Sequence, residues 1–149
     1  MKKVILAIAI ALTAFQSFAT DRVQKSNETS LEILDLVVDV HSTYSEASNL
    51  QAKVIELLGG DGMNPTRMAL VLSTGYGEAP QVYMLDTMLY SVTRVTFLAI
   101  DTIVVNYLQD SFDNIEDMNP IQVKKSLQIK VLRNSNGELT GAIDLTELK

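Results

Sequence analysis

The residues of this chain whose types could do chemistry are few, and the densest group is acidic. The stretch QDSFDNIEDMNP (109–120) carries Asp110, Asp113, Glu116 and Asp117, directly after a strongly apolar run. Carboxylates at that density are the donors a hard cation such as Ca2+ selects, but an EF-hand loop needs oxygen ligands at positions 1, 3, 5 and 12 and glycine at 6. Counted from Asp110, positions 3, 6 and 12 are Phe112, Ile115 and Ile121; counted from Asp113 they are Ile115, Met118 and Lys124. Neither register supplies the set, so the stretch reads as a solvated turn after a buried strand. GGDGMN (59–64) imitates a calcium-binding nonapeptide, with Asn64 where aspartate should stand. It occurs once, whereas that motif works as stacked copies. STGYGEAP (73–80) has the glycines of a phosphate cradle, but Glu78 and Pro80 follow where a Gly-Lys-Ser/Thr ending is needed.

His41 is the single histidine and there is no cysteine, so a cysteine nucleophile and a centre built from several histidines are both excluded. A Ser-His-Asp triad would have to use His41, and no G-x-S-x-G turn presents a serine. His41, beside Ser42, reads as an edge or loop residue. Paired carboxylates of the glycosidase kind are formally available, but nothing in the spacing singles out a pair. The chain also has no Trp to stack against a sugar. No catalytic residue, cofactor or metal ligand is therefore assigned from sequence.

The N-terminus MKKVILAIAIALTAFQSFA has a basic start at Lys2 and Lys3, an apolar run over residues 4–15, and small residues Ser17 and Ala19 before a cleavage point. This is the layout of a secretory signal peptide, too short in its apolar part to span a bilayer. The expectation is cleavage after Ala19 and export to a periplasm or the exterior. Residues 20–30 read as a flexible polar leader, and 31–149 as one β-rich domain. Asn27 opens a glycosylation sequon, of little weight in a chain whose signal peptide looks bacterial. Removing residues 1–19 takes two lysines and no acid, so the formal charge moves from −6 to −8. A balance that acidic disfavours nucleic acid, whose binding depends on clustered cations releasing counterions.

Elements that would position any site follow from periodicity. LDLVVDV (34–40) alternates, setting Leu34, Leu36, Val38 and Val40 on one expected core face and Asp35 and Asp39 on the other. SEASNLQAKVIELLGG (45–60) repeats Ala47, Leu50, Val54 and Leu57 at helical spacing, with Ser45 as cap and Gly59 as stop, and predicts a helix. Strands are expected at 67–74 and 81–86, and 88–112 reads as two strands meeting near Ile100-Asp101-Thr102, with a slip of face after Val92 that signals a bulge. SLQIKVLR and LTGAIDL predict a C-terminal hairpin closed by the three-residue loop Ser135-Asn136-Gly137. Glycine then takes the left-handed last position, and Ile129 pairs with Ile143 and Leu127 with Leu145.

The predicted architecture is mainly β, an antiparallel sandwich or small closed barrel of about seven or eight strands with one short helix. The expected function is non-catalytic binding of a protein partner or small ligand. A small-barrel carrier of an apolar molecule, lined by Met68, Met84, Met88 and tyrosines, and a carboxylate-dependent hydrolase are the alternatives. Residues 121–149 hold five basic and three acidic side chains on an otherwise acidic body. Lys124, Lys125, Lys130 and Arg133 are the candidate contact for an acidic protein partner.

Overall fold

The structure, a computed structural model, describes residues 20–25, 36–75, 78–112 and 120–148. Nine strands run through them: β1 (Thr20–Gln24), β2 (Val37–Ser45), β3 (Leu50–Leu58), β4 (Thr66–Thr74), β5 (Gln81–Leu89), β6 (Ser91–Ala99), β7 (Thr102–Ser111), β8 (Ile121–Arg133) and β9 (Leu139–Leu148). They form two sheets, β1-β9-β8-β7-β6 and β2-β3-β4-β5, every pair antiparallel. The sheets are stacked as a sandwich and do not close into a barrel. The chain crosses between them at Tyr90, whose N–H donates to Leu108 O at 2.8 Å. β5 bends just before this crossing, at an irregularity between Arg67–Met88 and Met68–Leu85. Strands that switch sheets at a bend make the corners of such packings.

Directly opposed residues share a face, so the register sorts the side chains into rows. Inside the four-stranded sheet the rows are His41–Val54–Leu70–Tyr83 and Asp39–Glu56–Met68–Leu85. Facing them across the sandwich are Val95–Val105–Leu127 and Phe97–Ile103–Ile129–Leu145 of the five-stranded sheet. The apolar members of these rows belong to one contiguous core that includes Leu70, Tyr83, Ile103 and Ile129. Apolar area removed from water at roughly 25 cal/mol per Å2 makes such a core the dominant stabilising contribution in a chain without disulfides.

The predicted strand slip is present as a bulge between Val92 and Arg94, and β6 turns into β7 at Ile100–Asp101. Four expectations need correction. Residues 45–60 form no helix; they are the end of β2, a turn, and β3. Leu50 and Val54 lie four apart, a spacing that shares a face in both a helix and a strand. Asn49 settles the choice by taking a left-handed conformation (φ 47°) that breaks the backbone before Leu50.

The second correction concerns the alternation around residues 36–40, which is real but faces the other way. Val38 is 52% and Val40 47% exposed, while Asp39 and His41 point between the sheets. Leu34 and Asp35 lie outside the described residues. Third, residues 20–24 are strand β1 on the edge beside β9, not part of a flexible leader.

The fourth correction is a register. Ser135-Asn136-Gly137 is indeed the hairpin loop: Asn134 N–H donates to Glu138 O at 2.9 Å, Gly137 N–H to Asn134 O at 3.0 Å, and Gly137 has φ +84°. Beyond it, however, Ile129 pairs with Leu145 and Val131 with Ile143. Two extra residues of β9 are absorbed around Thr140–Ala142, where Gly141 has φ +80°. A slip of two keeps every side chain on its face, which is why burial agrees with the sequence pattern although the partners do not.

Candidate functional site

A histidine and two carboxylates meet between the sheets at the seam where edge strand β2 lies against β6. β2 turns Asp39, His41, Thr43 and Ser45 inward, and the β2–β3 pairing sets Asp39 opposite Glu56. His41 Nε2 lies 2.9 Å from Glu56 Oε1 and 3.5 Å from Asp39 Oδ2. A carboxylate only accepts, so Nε2 carries the proton in this arrangement. Val92 N–H also donates to Glu56 Oε1, at 2.7 Å. The Glu56 side chain is 4% exposed, His41 25% and Asp39 61%, so the group opens to solvent across Asp39. Asp39, His41 and Glu56 each bring one donor atom within 4.8 Å of the others, the arrangement of a three-ligand cation site. Sequence reasoning assigned His41 to an edge, which is where it lies. Its juxtaposition with Glu56 depends on residues 50–58 forming strand β3 where helical spacing predicts a helix.

The two acid-bearing loops singled out from the sequence also converge. Asp61 Oδ1 accepts Met63 N–H at 2.9 Å and Asn64 N–H at 2.6 Å, and these bonds, Asn64's first, hold the Asp61 carboxyl below its ordinary range. Asn64, buried, donates from Nδ2 to Asp110 O at 3.2 Å and accepts Asp110 N–H on Oδ1 at 2.8 Å. Its amide thus completes the backbone pairing at the end of β7. The acidic stretch starts here as a structural tie. Asp110 Oδ1 is buried with no hydrogen-bond partner among the described residues, and Asp113, Glu116 and Asp117 lie outside them.

The four candidate cations separate. Lys124 and Lys130 are exposed, and their register places them on the outer face of the five-stranded sheet. Lys125 pairs with Glu147 at 2.7 Å. Arg133 is a scaffold residue, donating to Asp101 Oδ1 at 2.8 Å, to Gly137 O at 2.7 Å and to Ser48 O at 3.3 Å. Two cations not foreseen from sequence join Lys124 and Lys130 on the outer face. Arg22 lies in the row Thr102–Lys130–Asp144–Arg22, and Arg94 in the row Arg94–Asn106–Ser126–Leu148. Arg22 binds Asp144 through two hydrogen bonds of 2.8 and 3.2 Å. That contact, helped by the charge of Lys130, holds the Asp144 carboxyl below its ordinary range. The rest of the face mixes polar residues such as Thr96, Gln128 and Thr146 with Val104, Leu108 and Leu148.

The opposite outer face carries one apolar row, Val40–Ile55–Ala69–Met84, across all four strands of that sheet, flanked by rows that hold Lys53 and Arg67. The methionines and tyrosines named for a carrier cavity do not converge. Met68 and Tyr83 are buried in the core, whereas Met84 and Tyr90 are exposed. Burial pushes the Tyr83 phenol up to about 12, and its hydroxyl donates to Gln81 at 2.6 Å. No helix among the described residues is long and apolar enough to cross a membrane. Comparison with protein-family models, with curated proteins and with solved structures finds no match to this chain.

Proposed function

We propose that the chain is an exported, non-catalytic β-sandwich that docks an acidic protein partner on the outer face of its five-stranded sheet. One observation carries the reading. On a chain of formal charge −6, Arg22, Arg94, Lys124 and Lys130 share one side of the five-stranded sheet with Asp144 and Asp110. Among the described residues Lys124, Lys130 and Arg94 make no ion pair, although Lys130 acts on Asp144 from the neighbouring strand, and Lys124 and Arg94 carry the charge most open to a second molecule. Cations in this setting steer encounter and select partners, and they act through association rate and salt dependence more than through raw affinity. Export is supported by the N-terminal pattern.

The test compares wild type with a Lys124→Glu, Lys130→Glu double variant in a pull-down from the exported fraction at low and moderate salt. Both substitutions are on exposed side chains and leave the melting temperature close to that of wild type. The double variant loses the salt-sensitive partner. Equal recovery of the same partners by both proteins removes this face from the reading.

A further inference from the structure

We propose that Asp39, His41 and Glu56 form a binding site for a divalent first-row transition-metal ion, of which Zn2+ is the representative. The site is independent of the docking face and stands on three observations. The first is the donor set: one imidazole nitrogen and two carboxylates, from adjacent strands, all within 4.8 Å of one another. Imidazole with carboxylate suits Zn2+ and its neighbours, while Mg2+ and Ca2+ take oxygen alone.

The second is spacing. Donors about 2.0–2.2 Å from a tetrahedral Zn2+ stand about 3.3–3.6 Å from each other. His41 Nε2 and Asp39 Oδ2 are already 3.5 Å apart, and Nε2 and Glu56 Oε1, at 2.9 Å, need only a small opening as their hydrogen bond gives way. Val92 N–H fixes one oxygen of Glu56 from the backbone, the kind of support that orients a ligating carboxylate.

The third is charge. Glu56 is almost wholly buried, and neither Glu56 nor Asp39 pairs with a Lys or Arg among the described residues. Among the described residues the buried Glu56 carboxylate has only His41 Nε2 and Val92 N–H as partners, and a buried carboxylate is costly without a counter-cation. A divalent ion entering past exposed Asp39 supplies that charge. Three protein donors leave a further position for water, as in open zinc sites.

His41 being the only histidine makes the test clean. Full-length or processed chain without an affinity tag is stripped with chelator, and its imidazole resonances are followed while ZnCl2 is added. The proposal expects the single set of ring signals to move and saturate at one Zn2+ per chain, with Co2+ giving a visible absorption band and Mg2+ and Ca2+ leaving the ring unmoved. His41→Gln should weaken Zn2+ binding at least tenfold, measured by calorimetry, and Glu56→Gln similarly. Because Glu56 is buried, Asp39→Asn, at an exposed position, serves as the variant whose folding is not in question, and it too should weaken binding. Ring signals that stay fixed through added Zn2+ would overturn the site, as would Zn2+ uptake unchanged in His41→Gln or Asp39→Asn.

Discussion

Asn64 offers the most direct reading of how the two sheets are tied at one end. Its buried side chain exchanges two hydrogen bonds with the backbone of Asp110, 46 residues away, at 2.8 and 3.2 Å. Asn64→Ala removes both and leaves the N–H and C=O of Asp110 to find water at a partly buried position. A buried hydrogen bond is worth about 0.5–1.5 kcal/mol net, and an orphaned buried partner costs about 1–3 kcal/mol. For two partly buried groups the loss works out at roughly 2–4 kcal/mol, which for a domain of this size lowers the melting temperature by on the order of 10 °C. Urea denaturation followed by circular dichroism gives the number, with an unchanged dependence on urea showing that the folded and unfolded ensembles are otherwise alike. Asn64→Asp is the companion variant. It keeps the acceptor for Asp110 N–H but turns an anionic oxygen toward Asp110 O, and should be destabilised at neutral pH and partly rescued in acid. A loss below about 0.5 kcal/mol for Asn64→Ala, within the range of neutral surface changes, would refute the tie.

Other outcomes follow from the same geometry. Gly137→Ala should cost about 1 kcal/mol in the same assay, because φ is +84° while nothing lies within 4 Å of an added Cβ, so the penalty is conformational alone. The Asp144 carboxyl is held below 3.8 chiefly by its hydrogen bond from Arg22. A depressed folded pKa means that the unfolded chain takes up the proton first as pH falls. The stabilisation is complete above 3.8 and lost through the folded value beneath it. Melting temperatures of wild type and Asp144→Asn measured from neutral pH into that range should converge in acid. Intact mass of the protein recovered from its native exported fraction should correspond to a chain starting at Thr20.

Much of the fold is written in period two. The alternation of Leu127, Ile129 and Val131, and the slip after Val92, translate directly into β8 and the bulged β6, because a half-buried strand must put apolar groups on one side. The misread segments share a physical cause. Leu50 and Val54 satisfy two periods at once, and only the left-handed Asn49 decides between them. The alternation of β2 is correct in period but inverted in sense, because an edge strand can turn polar groups into a seam and leave valines outside. β1 has one apolar residue, Val23, packed against the core, and is held chiefly by backbone pairing to β9, which leaves little trace in composition. The seam cluster depended on this error as well. Asp39 and Glu56 face each other only once residues 37–58 are folded as a hairpin. The cationic face was half legible. Lys124 and Lys130 share it, whereas Lys125 and Arg133 are engaged by Glu147 and Asp101, and Arg22 and Arg94 arrive from distant strands.

Hydrogen–deuterium exchange on the wild-type protein, alone and saturated with the partner recovered from the exported fraction, tests the docking claim most directly. Docking on this face slows exchange in the peptides carrying Arg94, Lys124 and Lys130 and leaves β3 and β4 unchanged. Protection confined to the row Val40–Ile55–Ala69–Met84, with the peptides of Lys124 and Lys130 exchanging as in the free protein, would contradict it.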